Sequence, residues 1–62
     1  LGDAYLSRTL PPGQSQVVRA ISIEGLSPSE TAKKFTLSEG AVRVALHRGL
    51  AALSRAAQRS EP

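Results

Sequence analysis

Residues 26–53 read LSPSETAKKFTLSEGAVRVALHRGLAAL, and this stretch decides the fold. It contains a short helix-forming segment over residues 27–35 and a longer one from residue 39 onward, joined by a turn of about three residues. The longer segment carries basic side chains on the side that its apolar residues leave free. A short helix, a tight turn and a basic second helix form the pattern of a helix-turn-helix, whose second helix lies in a DNA groove.

Both segments begin with residues that favour a helix start. Ser27 is followed by Pro28, which suits the first helical position, and by Glu30 at the spacing of a capping box. Ser38 stands where it can cap the longer helix. These signals predict helices over residues 28–35 and about 39–58.

Two further helices are predicted upstream, over residues 3–9 and 12–24. The Pro-Pro-Gly at residues 11–13 separates them, and Gly25 ends the second as a C-terminal cap. No segment has the alternating pattern of a strand. The sequence therefore predicts an all-α fold, a small four-helix domain containing a helix-turn-helix, with residues 1–62 as a single domain.

The core is predicted to be aliphatic, because the chain has only one tyrosine and one phenylalanine. The apolar positions of the last helix recur at the spacing of a buried stripe; they are Val42, Leu46, Leu50 and Leu53. The other predicted core residues are Val17, Ile21, Leu26, Ala32, Phe35 and Leu37.

Composition limits the class of protein. A chain of 62 residues leaves no room for a catalytic cleft of usual size, and its single histidine and five scattered acidic residues suggest no catalytic group. We therefore predict that it is not an enzyme, with no cofactor and no metal.

Without a long apolar run or a leader, we expect a soluble, cytoplasmic chain with no membrane contact. Because it starts at Leu1 rather than Met, we expect a fragment of a longer protein.

The net charge of +3 lies entirely in residues 27–62, where six basic residues face three acidic ones. A basic bias confined to the helix-turn-helix and beyond favours a polyanion as partner. A solvated helix face explains the charge equally well.

The last helix carries the main candidate site. Arg43, Val44, His47 and Arg48 are predicted to lie opposite its apolar stripe, in one patch near the helix start. Arginine makes bidentate hydrogen bonds to guanine, a histidine can donate to a phosphate or a base, and valine can contact a thymine methyl. The alternative is an exposed helix whose arginines serve solubility.

The entry to that helix is a candidate phosphate site. Ser38, with the free N–H groups of Glu39 and Gly40, lies at the positive end of the helix dipole. Gly40 permits a close approach of a DNA backbone or, alternatively, of another helix. Lys33 and Lys34 end the preceding helix, where they can reach phosphates or stabilise the helix C-terminus.

Several short motifs stand in a fixed order along most of the chain. They are Leu-Pro at 10–11, Glu-Gly-Leu-Ser at 24–27, Ser-Glu-Gly-Ala-Val-Arg at 38–43 and Leu-His-Arg at 46–48. Together these motifs resemble region 4 of bacterial sigma factors of the extracytoplasmic-function type (group IV), over residues 10–53.

The resemblance implies a domain that recognises the promoter −35 element in double-stranded DNA and docks on the flap of the RNA polymerase β subunit. It also implies regulation by an anti-sigma factor that covers these surfaces. The family's DNA-facing positions match Arg43, Val44, His47 and Arg48, with the helix entry at residues 38–40. The family usually has a small polar residue and a second basic residue where this chain has Val44 and Ala45.

Two other interpretations remain. The DNA-binding domain of a LuxR-type regulator shares the four-helix layout, but it usually begins with threonine-arginine-glutamate where this chain has PPGQSQ. A sigma-like decoy would bind an anti-sigma factor rather than DNA. Such a decoy would have lost the basic residues of the last helix, whereas this chain retains Arg43 and Arg48.

Overall fold

The computed structural model describes residues 2–59, apart from the side chain of Arg59, so Glu61 and its charge lie outside the described residues. The described residues form four helices and no strand. The helices are α1 (Asp3–Thr9), α2 (Pro12–Ser22), α3 (Pro28–Phe35) and α4 (Glu39–Arg59). The predicted all-α class is confirmed, and α3, residues 36–38 and α4 form the helix-turn-helix.

The predicted end of α2 at residue 24 is wrong by two residues. The backbone N–H groups of Ile23 and Glu24 both donate to the Arg19 carbonyl, at 2.9 and 3.1 Å. The second bond spans five residues instead of the four of an α-helix, so the α-helix is not continued beyond Ser22. Gly25 then takes a φ of +77°, a left-handed conformation that glycine adopts without steric cost. The chain is thereby turned toward α3.

The capping box at the start of α3 is confirmed. The Ser27 hydroxyl accepts from the Glu30 N–H at 3.1 Å, and the Ser27 N–H donates to Glu30 Oε1 at 2.9 Å. Hydrogen bonding of the Glu30 carboxylate, first to the Ser27 N–H and then to the Ser27 side chain, holds the pKa of Glu30 below its ordinary value. Thr31, buried one turn into the helix, donates its hydroxyl to the Ser27 carbonyl at 2.8 Å. This helix start is therefore specified by local contacts.

The core consists of two aliphatic clusters that meet at Leu46 of α4. One cluster joins α1, α2 and α4 through Leu6, Leu10, Val18 and Leu53. The other joins α2, α3 and α4 through Val17, Ala32 and Val42. Because the neighbouring Val17 and Val18 enter different clusters, α2 lies between the other helices and holds the domain together.

Two residues predicted in the core are exposed. Leu50 is 46% exposed and Leu37 is 39% exposed. Leu50 follows Gly49, which faces α2, and the next residue of a helix points about 100° away from it. Leu37 lies in the turn before α4, at the rim of a surface groove rather than between helices. Phe35 is only partly buried, and Lys34 Nζ lies 5.6 Å from its ring centroid.

Helices α2 and α4 pack closely at Gly49. A Cβ atom added to Gly49 would lie 2.6 Å from Cγ2 of Val18 and 3.5 Å from Cδ1 of Leu10. Val18 is fully buried and valine has little rotamer freedom, so it cannot move aside easily. The absence of a side chain at Gly49 therefore sets the spacing of α2 and α4.

Gly49→Ala is expected to lower the free energy of unfolding by about 1–3 kcal/mol, because the added methyl overpacks the α2–α4 contact. The matched control is Gly40→Ala, where the nearest atom to an added Cβ is Ser38 Oγ at 3.9 Å. That variant should gain up to about 1 kcal/mol from the better helix propensity of alanine. Urea denaturation followed by circular dichroism measures both; equal changes would contradict the close contact at Gly49.

Candidate nucleic-acid interface

The turn between α3 and α4 is made by one residue in an uncommon conformation. Thr36 has a φ of 57° and a ψ of 48°, in the left-handed region that β-branched residues rarely occupy. Its N–H donates to the Lys33 carbonyl at 3.4 Å, and the Leu37 N–H donates to the Ala32 carbonyl at 2.8 Å. These bonds close the end of α3, and the chain enters α4 within three residues.

Ser38 caps α4, as predicted. Its hydroxyl accepts from the Ala41 N–H at 3.0 Å, and its carbonyl accepts from the Val42 N–H at 3.1 Å. The N–H groups of Glu39 and Gly40 belong to the first turn, where an α-helix offers them no carbonyl partner. The entry of α4 thus presents polar hydrogens and the positive end of the helix dipole to the surface.

The seven site residues predicted at the start of α4 lie together on the surface, and we call this set the recognition face. Its members are Ser38, Glu39, Gly40, Arg43, Val44, His47 and Arg48, all of them exposed. Val44 is 49% exposed although it is apolar. The opposite side of the helix enters the core through Val42 and, partly, Ala45 and Leu46. The packing of α4 therefore points these seven residues outward as one group.

Gly40 has no packing partner. An added Cβ would meet only Ser38 Oγ, at 3.9 Å, so the alternative of a close helix–helix contact at this glycine is wrong. Its φ does not lie in the left-handed region either, since Gly25 is the glycine with a positive φ among residues 2–59. The fold itself does not require glycine at this position.

Arg43 makes only a weak contact within the recognition face. Its Nη2 lies 3.7 Å from Glu39 Oε1, one turn earlier, and both side chains are mostly exposed. An exposed ion pair at this separation contributes little and is easily exchanged for another partner. The guanidinium of Arg43 therefore remains available to an external acceptor.

The two predicted lysines of α3 differ in their surroundings. Lys34 Nζ donates to Glu24 Oε1 at 2.8 Å, and this bond holds the pKa of Glu24 below its ordinary value. Lys33 is exposed, one residue earlier on the same helix. Of the two, Lys33 is the one whose ammonium is free of that carboxylate.

Two acidic residues, Asp3 and Glu24, form ion pairs with cations of α2 and α3. Arg19 Nε lies 2.7 Å from Asp3 Oδ1, and its Nη1 lies 3.6 Å from Glu24 Oε2. Glu24 in turn holds Lys34. The side chains of Asp3 and Glu24 are therefore paired with cations outside α4.

The start of α2 contributes to the site in a way that sequence spacing does not reveal. Gln14 and Pro11 line a groove beside Arg48, and both also line a second groove that reaches Arg55. These residues are more than 30 positions from Arg48 in the sequence, so only tertiary packing brings them together. No signal in the linear sequence identifies them.

Comparison with known proteins decides the class. The family model described as "Sigma-70, region 4" matches residues 5–53, most of the chain. The chain belongs to this family. It is also 40% identical over 53 residues to the ECF RNA polymerase sigma factor SigF of Caulobacter vibrioides, covering 86% of this chain and 30% of that relative. No solved structure matches the chain significantly.

The predicted membership in region 4 of an extracytoplasmic-function sigma factor is therefore confirmed, in preference to the LuxR-type alternative. The helix-turn-helix is a sigma-factor DNA-binding domain, a class that is not enzymatic. Within residues 2–59, no helix is long and apolar enough to cross a membrane. The described side chains also include no group of three His, Cys, Asp or Glu placed to hold a metal ion.

Thr36→Gly is expected to raise the free energy of unfolding by about 1 kcal/mol, because glycine adopts the left-handed conformation without the clash of a Cβ. Thr9→Gly is the control, since Thr9 lies in α1, where glycine is unfavourable. It should lower the stability. Thermal melting compares the two variants, and a loss of stability in Thr36→Gly would contradict the strained turn.

Lys33→Gln is expected to weaken binding to duplex DNA of any sequence and to reduce the salt slope of log Kd by about 0.9, the value for one phosphate contact. Lys34→Gln should affect binding less, because Lys34 must first leave Glu24, and it should raise the pKa of Glu24 toward its ordinary value. Fluorescence anisotropy at several salt concentrations and a carboxyl-carbon NMR titration measure these effects. Equal losses of affinity would contradict the difference between the lysines.

Proposed function

We propose that this domain recognises the −35 element of a promoter, with the start of α4 in the major groove, and so directs transcription initiation. The observation that carries the proposal is the recognition face. It combines an exposed row of basic side chains with the free N–H groups of a capped helix start, directly after the turn of a helix-turn-helix. In this motif, the first residues of the second helix are the ones that contact base edges.

Each part of the face suits a different contact. Arg43 and Arg48 are able to form bidentate bonds to O6 and N7 of guanine, the commonest specific contact in the major groove. His47 lies one turn after Arg43 and can donate to a base or a phosphate. The entry at residues 38–40 suits a phosphate, which the helix dipole attracts. Glu39 can accept from the amino group of cytosine when Arg43 leaves it.

Two features of the structure support an approach of DNA at the entry of α4. Glycine at position 40 costs helix stability without any return in packing, but it keeps the surface beside Ser38 open. The Lys33 ammonium, at the end of α3, extends the positive surface from α4 to the supporting helix. Both fit a DNA backbone that passes across the turn.

The wider function rests on the family. The chain spans 30% of the length of its sigma-factor relative, so we propose that residues 1–62 form one domain of a longer sigma factor. In that protein the domain docks on the flap of the RNA polymerase β subunit and is covered by an anti-sigma factor when transcription is off. Because RNA polymerase acts in the bacterial cytoplasm, the domain acts there as well.

A decoy that binds an anti-sigma factor rather than DNA is the second candidate. A decoy would not require exposed cations at the start of α4. In this chain, Arg43 and Arg48 are both present and exposed. The charge of the recognition face therefore favours DNA.

The first test is a titration of the isotope-labelled chain with two duplexes at two salt concentrations, followed by NMR. One duplex is selected by the chain from a randomised pool, and the other is a scrambled version of it. We expect sequence-dependent shifts of the backbone amides of residues 38–48. Identical shifts with both duplexes, or none, would contradict promoter recognition and favour the decoy.

Arg43→Ala provides the matched mutational test. It is expected to cost about 1–3 kcal/mol of binding free energy on the selected duplex and little on the scrambled one, because a bidentate contact reads a base. Arg8→Ala is the control, since Arg8 is an exposed arginine of α1 that lines neither groove beside α4. An equal loss on both duplexes would make Arg43 a phosphate contact instead.

A further inference from the structure

An apolar groove lies beside the recognition face, between the start of α2 and the start of α4. It encloses about 540 Å³ and is lined mainly by aliphatic and small residues. Leu37, Ala41 and Val44 supply its apolar surface, and none of the three is buried in a core cluster. Gly40 leaves its mouth open, since an added Cβ would have no neighbour closer than 3.9 Å.

The folding of the domain does not explain why an apolar residue is exposed at position 44. Val44 is 49% exposed in the middle of the recognition face, where a polar side chain would cost the fold nothing. Two hydrocarbon side chains, Val44 and Leu37, therefore remain in water on the same groove. Removing them from water on binding would be favourable, in proportion to the area covered.

The charges around the groove select the kind of ligand. Arg48 is its one charged lining residue, and no acidic side chain lines it. Arg43, on the neighbouring turn of α4, keeps only a weak contact with Glu39. An apolar groove with one arginine in its lining and a second arginine on the next turn is complementary to an apolar group carried by a polyanion.

In DNA that description fits one group. The C5 methyl of thymine is the apolar feature that a base pair presents in the major groove, and it distinguishes T·A from the other pairs. We propose that Val44, with Ala41 and Leu37 beside it, forms a thymine-methyl pocket. The DNA element that this domain recognises then contains a thymine whose methyl group contacts Val44. The proposal rests on the proposed function and adds the chemistry by which one base is read.

The test uses deoxyuridine, which differs from thymidine only by the missing methyl. A duplex is selected by the 62-residue chain from a randomised pool, and each thymidine of it is then replaced singly by deoxyuridine. We expect one replacement to weaken binding about fourfold, the effect of burying one methyl group less. Val44→Ala should abolish that difference between thymidine and deoxyuridine without lowering the melting temperature, since Val44 is not in the core and alanine favours a helix.

Leu50→Ala is the matched control. Leu50 is also an aliphatic residue of α4 and is 46% exposed, but it does not line the groove. It should keep the full thymidine preference of the parent. A preference that Val44→Ala leaves intact, or no effect of deoxyuridine at any position, would overturn the methyl pocket.

The failure of the pocket and the failure of the proposed function are distinguishable. If the parent selects a sequence but ignores every deoxyuridine, methyl reading is wrong and promoter recognition stands. If the parent selects no sequence from the pool, promoter recognition fails as well.

Discussion

Gly49 lets α4 approach α2 so closely that one added carbon would lie 2.6 Å from a buried methyl of Val18. The rest of the domain is arranged around this contact. Since Leu46 of α4 joins both core clusters, a shift of α4 against α2 would disturb both at once. The direction in which α4 presents its outer side depends on that contact, because a helix held firmly along one side is fixed in rotation.

The distribution of charge follows from the same arrangement. Asp3 and Glu24 engage Arg19 and Lys34 on the side formed by α1, α2 and α3. Each exposed pair contributes little to stability. Their greater effect is on location, because Asp3 and Glu24 are paired with cations outside α4, where Glu39 is the acidic residue beside an arginine. A chain with a net charge of only +3 thereby gains a concentrated positive surface.

Local signals predicted much of the fold. The boundaries of α1 and α3 were correct, as were the capping box at Ser27 and the cap at Ser38, because each depends on residues within a few positions of each other. The errors concern packing. Leu50 fits a stripe of leucines along α4, yet Gly49, which no hydrophobic pattern would select, takes the contact with α2. The strained conformation of Thr36 was not predictable either, since threonine does not favour it.

The sequence by itself determined the four helices, the tight turn and the class of protein, because hydrophobic periodicity, capping residues and ordered motifs are properties of the chain read in one dimension. Only the tertiary structure decided that Gly49 rather than Leu50 packs against α2, which lysine is held by Glu24, and that Gln14 lies beside Arg48. These are relations between residues 10 to more than 30 positions apart. They depend on how closely helices pack, and that distance is set by individual atoms rather than by the pattern of polar and apolar residues.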